Sequence, residues 1–235
     1  MRYCHQKQNR IIAKAFNGLL YIRVRRDIIT DFLWLIMVII IMGALTWGII
    51  SSNVEQTKYE VIETHGNIEI REYAPVIVAE VLVSGNREES MSKGFRIIAD
   101  YIFGNNFSAK NIPMTAPVIQ QKNEKIAMTV PVSQQQEGDG WKISFVMPSR
   151  YSMETLPKPN NSEVKLKQIE KRRFAVIRFS GFGGDESIKK QTEKISEFIG
   201  NKKLSAVSSP IYAFYNPPWT LPFLRRNEVM IEIGN

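Results

Sequence analysis

Few side chains in this sequence are equipped to make or break bonds. Cys4 is the only cysteine, and His5 and His65 are the only histidines, among 235 residues. The chain therefore has no internal disulfide, no cysteine-rich metal site and too few nitrogen and sulfur ligands for an ordinary zinc centre. A Ser-His-Asp or Cys-His arrangement would have to run through His65. That histidine stands in Thr64-His65-Gly66-Asn67, which reads as a hairpin turn, where exposed polar residues are expected. What the sequence does offer is a surface for binding. Met91, Phe95, Ile98 and Ile102 recur every three or four residues and so share one side of a helix. Lys93 and Arg96 flank that stripe. Such a stripe packs on a sheet by default, and such charges are solvated by default. The sharper reading is one wall of an apolar groove.

The elements that would hold this wall can be read on either side of it. The helix stops at Gly104-Asn105. After a polar turn comes Ile112–Val118, where Pro113 and Pro117 can neither donate to a ladder nor occupy a central strand. Before the helix, Tyr59-Glu-Val-Ile and Ile68-Glu-Ile-Arg alternate as strands, and Val76–Val83 is a third. After it, Ile126, Met128 and Val130 alternate, as do Trp141, Ile143, Phe145 and Met147. Val164 and Leu166, the run Ala175–Phe179, and Val229, Ile231 and Ile233 follow. Gln134–Gly140 reads as a polar turn and Pro148–Asn161 as a loop.

The formal charge of +8 is concentrated at one end. Residues 1–31 hold seven basic side chains against Asp27 and Asp31, a net +5, which leaves only +3 for the rest. With no zinc-finger spacing and no basic run interleaved with aromatics, a nucleic-acid partner is not expected. Phe32–Ile50 contains no charged residue and spans about 28 Å as a helix, enough for a bilayer core. Trp34 and Trp47 lie near its ends, where indole rings favour the interface. The sequence thus predicts a basic cytoplasmic tail (1–31), an uncleaved transmembrane helix (32–50), a linker (51–57) and an exported domain (58–235) on the far side of the cytoplasmic membrane.

Within that domain the chain echoes itself. Ser84-Gly85, a helix and Gly104-Asn105 are matched 96 residues later by Ser180-Gly181, a helix and Gly200-Asn201. The second stripe is Ile188, Thr192, Ile195 and Ile199. The expected fold is α+β: two strand-strand-helix-strand-strand units related by a pseudo-twofold, forming a distorted antiparallel β-barrel flanked by two helices.

Several stretches resemble the SOUL heme-binding protein family. They are Tyr59-Glu-Val-Ile-Glu, Ile68-Glu-Ile-Arg-Glu-Tyr, Ile112-Pro-Met-Thr-Ala-Pro-Val, Ile126-Ala-Met-Thr-Val-Pro-Val, Phe145-Val-Met-Pro, Tyr215-Asn-Pro-Pro-Trp-Thr and Arg225-Arg-Asn-Glu-Val. The resemblance covers about Lys58 to Ile233. It implies reversible, non-covalent binding of heme or another tetrapyrrole in a mostly apolar groove beside the first helix. Met91, Phe95, Ile98 and Ile102 would line that groove. Arg96 would meet a propionate, and Met114 and Met128 are candidate soft axial ligands for its iron, with core packing as their default reading. Some members carry a histidine before the tyrosine of Ile-Arg-x-Tyr as a proposed iron ligand; here Glu72 stands there, so heme would be held without that axial bond. Arg225, Arg226 and Glu228 read first as ion pairs pinning the last strand, and Trp219 as a ring packed on the barrel mouth. No catalytic constellation is evident. The alternatives are a tetrapyrrole-modifying enzyme, with Glu72 or Glu89 as acid or base, and an envelope protein that takes a lipid or a partner peptide in its groove.

Overall fold

The computed structural model describes residues 32–39, 42, 54–107 and 123–234. The chain divides into two compact units, Met1–Asn53 and Val54–Asn235. In the first, residues 32–39 and 42 are helical and their side chains exposed. No helix among the described residues is long and apolar enough to cross a membrane; the remainder of the expected 32–50 span and the basic tail lie outside the described residues.

The second unit is α+β. Its larger sheet has nine antiparallel strands in the order β1-β2-β9-β11-β10-β5-β6-β3-β8. The strands are β1 (Tyr59–His65), β2 (Ile68–Tyr73), β3 (Val76–Ser84), β5 (Val132–Glu137), β6 (Gly140–Val146), β8 (Lys165–Ile169), β9 (Arg172–Phe179), β10 (Ile211–Phe214) and β11 (Asn227–Glu232). Short β4 (Asn106–Phe107) and β7 (Lys158–Pro159) form a second, two-stranded sheet. The helices are α1 (Arg87–Ile102) and α2 (Asp185–Asn201). Outward from the β5–β10 seam, β6 stands opposite β11, β3 opposite β9 and β8 opposite β2. Where a distorted barrel was expected, the described strands make a curled half-barrel sheet with β1 and β8 as its ends.

Alternation explains the two layers. On β9, Ala175 and Ile177 join Ile195 and Ile199 of α2 in one core cluster, while Phe174 and Val176 point the other way. On the other arm, Val81, Val83, Ile143 and Phe145 pack with Ile98, Tyr101 and Ile102 of α1. Each helix thus buries its stripe on one side of the sheet. Asn86 caps α1, its Oδ1 accepting from the Glu89 N–H at 2.9 Å, with Glu88 and Glu89 in the first turn. At Gly94 a Cβ would lie 2.8 Å from Ile143 Cβ. Only glycine lets α1 approach the sheet so closely.

Three local expectations are corrected. The hairpin turn is Gly66-Asn67 alone, with Gly66 at φ 64°, and β1 runs on through His65. Gln134–Glu137 is strand, not turn, because the polar Gln134 is buried with its amide donating to the Arg87 carbonyl at 2.6 Å. Ile126–Val130 is not a strand with one apolar face. The Ile126 N–H bonds the Ile102 carbonyl and the Val130 N–H bonds Glu55, so Ile126 is buried and Met128 is exposed.

Candidate functional site

The flank of α1 carries most of the expected site residues, and the structure divides them. Ile98 and Ile102 are 0 % and 1 % exposed and belong to the core. With Gly94 seated on Ile143, no flat ligand fits between α1 and the sheet. Met91 is half-buried against the same cluster. Phe95 reaches the edge of the core, its ring centroid 5.3 Å from that of Phe145, and stays partly exposed. Thr129, next to Met128, donates its hydroxyl to the Val146 carbonyl. Phe95 and Met128 each keep an apolar surface open to solvent. Arg96 is exposed and donates to the Ser92 carbonyl at 3.3 Å. Among the described residues the ion pairs of α1 involve Arg87 alone, leaving Lys93 and Arg96 free to meet an anion. Met114, Pro113 and Pro117 lie outside the described residues.

Among the described residues no histidine stands beside this flank. His65 sits by the other helix: its Nε2 is 2.9 Å from Glu63, and its ring centroid is 5.3 Å from that of Phe198. Glu72 pairs with Lys171 at 2.5 Å and Arg173 at 3.5 Å. The hydrogen bond from Lys171, then its charge and that of Arg173, hold the Glu72 carboxyl below the ordinary range. Among the described residues no group of three His, Cys, Asp or Glu side chains could hold a metal ion. The flank suits a macrocycle held by apolar contact with cations near its edge.

The face of the sheet away from the helices holds a second constellation, of which sequence reasoning caught only part. Glu228 is 1 % exposed and accepts from Arg71 Nη1 at 3.0 Å, Arg226 Nε at 2.9 Å and Tyr215 Oη at 2.7 Å. Arg71, itself buried, also donates to Glu69 and Tyr73 and lies 4.3 Å from the Tyr59 ring centroid. Burial is the largest single influence and opposes the Arg71 charge, but Glu228, Tyr73 and Glu69 together outweigh it and raise that guanidinium. Burial, then the Glu228 carboxylate, push the Tyr73 and Tyr215 hydroxyls upward. The pairing role read for Arg226 and Glu228 stands; Arg71 was missed. Its signal was that Arg71 falls out of phase with Ile68 and Ile70 and in phase with Tyr73. Beside this network opens a cavity of about 170 Å³ floored by Phe174, Ile211, Tyr215 and Met230, with Glu80, Lys142, Lys167 and Arg172 around it. An adjoining cavity of about 390 Å³ lies between the entering segment 55–58 and residues 146–151.

Arg225 does not join the Glu228 network. Its Nε donates to the Thr220 carbonyl at 2.7 Å, it also bonds the Pro218 carbonyl, and its guanidinium lies 5.1 Å from the Phe182 ring centroid. It shapes the 216–225 loop. Trp219, expected on the barrel mouth, is 67 % exposed at the tip of that loop.

The model of the SOUL heme-binding protein family matches residues 54–232. That family is one of binding proteins and not a catalytic one. No match is found among curated protein sequences. Among solved structures, the crystal structure of the EcmrR C-terminal domain is similar at 8 % identity and a TM-score of 0.52, covering 75 % of this chain and 98 % of that one. The cryo-EM structure of an EcmrR–DNA complex is similar at 9 % identity and a TM-score of 0.52, over 72 % of this chain and 57 % of that one. A crystal structure of a hydrolase from Listeria innocua gives 12 % identity and a TM-score of 0.46, over 74 % and 94 %. At such identities the likeness to the EcmrR structures is one of fold alone.

Proposed function

The chain belongs to the SOUL heme-binding protein family, and from that premise we propose that it holds heme or a related tetrapyrrole, without a covalent bond, against the outer flank of α1. The observation that carries this is the apolar surface that Phe95 keeps open beside Phe145 on the flank of α1, with Lys93 and the exposed Arg96 on either side of it in the helix sequence. The ring would lie along Met91, Phe95 and Met128, and Arg96 would meet a propionate through charge-assisted hydrogen bonds. Ile98 and Ile102 act from beneath, fixing the helix. At about 25 cal/mol per Å² of apolar surface removed from water, partial burial of one macrocycle face supplies several kcal/mol, so no iron bond is required. When bound, the tetrapyrrole supplies its own metal chemistry; the protein's part is to position it.

The same reading takes the domain as anchored by residues 32–50 on the extracytoplasmic side. What supports this is the uncharged run, its terminal tryptophans and the basic residues that precede it. It also takes the two arms of the sheet as a pseudo-twofold pair, supported by the strand order about the β5–β10 seam and the repeated Ser-Gly before each helix.

The test is titration of the domain Val54–Asn235, a compact unit with its own core, with hemin and with metal-free porphyrin. Both should saturate at micromolar concentration and compete. Phe95→Ala should weaken them alike by roughly tenfold, the effect of losing a large part of a ring's apolar contact. Absence of saturation sinks the reading. The second cavity favours a rival in which the ligand lies on the sheet face away from the helices. Ser144→Trp, which fills that cleft, abolishes binding under the rival and leaves it intact under the proposal.

A further inference from the structure

Among the described residues of the second unit, five large exposed apolar side chains are gathered on two loops, while Phe103 and Leu82 are exposed elsewhere. Phe182, Trp219, Leu221, Phe223 and Leu224 are each between 55 % and 76 % exposed. The loops that carry them are tied together. The Gly181 N–H donates to the Pro222 carbonyl at 2.9 Å, and Asn227 Nδ2 donates to the Gly181 carbonyl at 3.0 Å. Residues 222–224 form a 3-10 turn, and Arg225 holds the Thr220 and Pro218 carbonyls on one side and the Phe182 ring on the other. The rings and leucines are therefore displayed on a shaped support instead of collapsing onto one another. A contiguous apolar display of this kind marks a contact surface.

The entry point of the chain names the partner. Arg226, the residue that closes the 216–225 loop, donates to Gln56 Oε1 at 3.1 Å. Only five residues lie between Gln56 and Ile50, the end of the uncharged run, a reach of at most about 20 Å when fully extended. Trp219 with Phe182 and Phe223 at the tips has the composition of a group lodged at the boundary of acyl chains and headgroups. We infer that the paired loops 181–184 and 216–225 are a lipid-seeking edge that seats the domain on the surface of the bilayer holding its anchor, its rings and leucines entering the boundary and Arg225 holding the loop in shape behind them. This rests on the anchored reading for its tether and on the exposed loops for its surface.

The test uses the full chain in vesicles of phosphatidylcholine and phosphatidylglycerol. With Cys4→Ser removing the native thiol, Phe223→Cys carries an environment-sensitive label, and Val207→Cys carries the same label as a control. Val207 is exposed and its N–H bonds Glu232, at the opposite end of β11 from Asn227. Spin-labelled lipid should quench the label at 223 at least about twofold, as for a group about 5–10 Å into the headgroup–acyl boundary, and leave the label at 207 unchanged. If the chain resists alkaline extraction but the label at 223 is not quenched, the inference is overturned and the anchor stands. If the chain is extracted and neither label responds, both fall. A label at 223 that responds only to hemin makes the loop a ligand wall and overturns the lipid assignment.

Discussion

Replacing Glu228 by glutamine removes a charge and little else, and the structure allows its cost to be worked out. Arg71 and Arg226 both donate to the same oxygen, Oε1, at 3.0 Å and 2.9 Å. Their donor nitrogens are therefore no more than about 6 Å apart, and at an effective dielectric of about 20 the two cations repel by about 3 kcal/mol. The carboxylate offsets that repulsion. Neither cation can escape it easily, since Arg71 is 2 % exposed and fixed by Glu69 and Tyr73. Glu228→Gln should cost roughly 3–5 kcal/mol, the range for breaking a buried pair, which lowers the melting temperature by roughly 6–20 °C for a domain of this size. Glu228→Gln combined with Arg71→Met removes one of the two facing cations and should be more stable than the sum of the single changes predicts, by at least about 1 kcal/mol. Urea titration of the four proteins reads this directly. A Glu228→Gln protein within about 1 kcal/mol of the parent, or two changes that simply add, would refute the network as drawn.

The other predictions concern helix approach and alkaline stability. Gly94→Ala should destabilise by roughly 1–2 kcal/mol in urea, an overpacking cost against Ile143 that outweighs the helix propensity gained. Gly200→Ala, whose Cβ would meet nothing within 4 Å, should be neutral or stabilising by up to about 1 kcal/mol; the reverse ranking would contradict the close approach. Tyr73, Tyr101 and Tyr215 have hydroxyl pKa values raised mainly by burial. Their contribution to stability is complete below the unfolded pKa of about 10 and declines above it by roughly 1.4 kcal/mol per pH unit for each tyrosine. Ultraviolet phenolate absorbance should therefore show these three ionising only as the domain unfolds.

Much of the scaffold was legible because its periods are local. The stripes of α1 and α2 and the alternation in β3, β6, β9 and β11 announce their elements, and Gly66-Asn67 announces a turn. The failures share a cause. β5 hides behind glutamines because Gln134 is buried through a bond to the start of α1, a tertiary fact with no local mark. Ile126–Val130 alternates like a strand, yet its N–H groups are taken by Ile102 and Glu55 and no ladder remains for it. In the site, spacing placed Met91, Phe95, Ile98 and Ile102 on one helix face. It could not say that Gly94 draws that face against Ile143, leaving only Met91 and Phe95 within reach of a ligand. Arg71 was missed for a related reason: its phase on β2 marked it, but its partner Glu228 is distant in sequence and meets it only across β9.

The strand order also governs how the chain can assemble. β2 pairs with β9, setting Ile70 opposite Ala175, while β8 crosses the other way to pair with β3, setting Leu166 opposite Ala79. Each arm is completed by a strand that comes from the other, on the order of a hundred residues away along the chain. The β3–β8 and β2–β9 pairings cannot form before the chain through β9 has left the ribosome. Folding is therefore late and all-or-none, and the half-made sheets are exposed edges that invite pairing with a neighbouring chain. By the same geometry, a cut in the loop between Pro148 and Asn161 would leave two fragments interlocked by exchanged strands, each the template on which the other refolds.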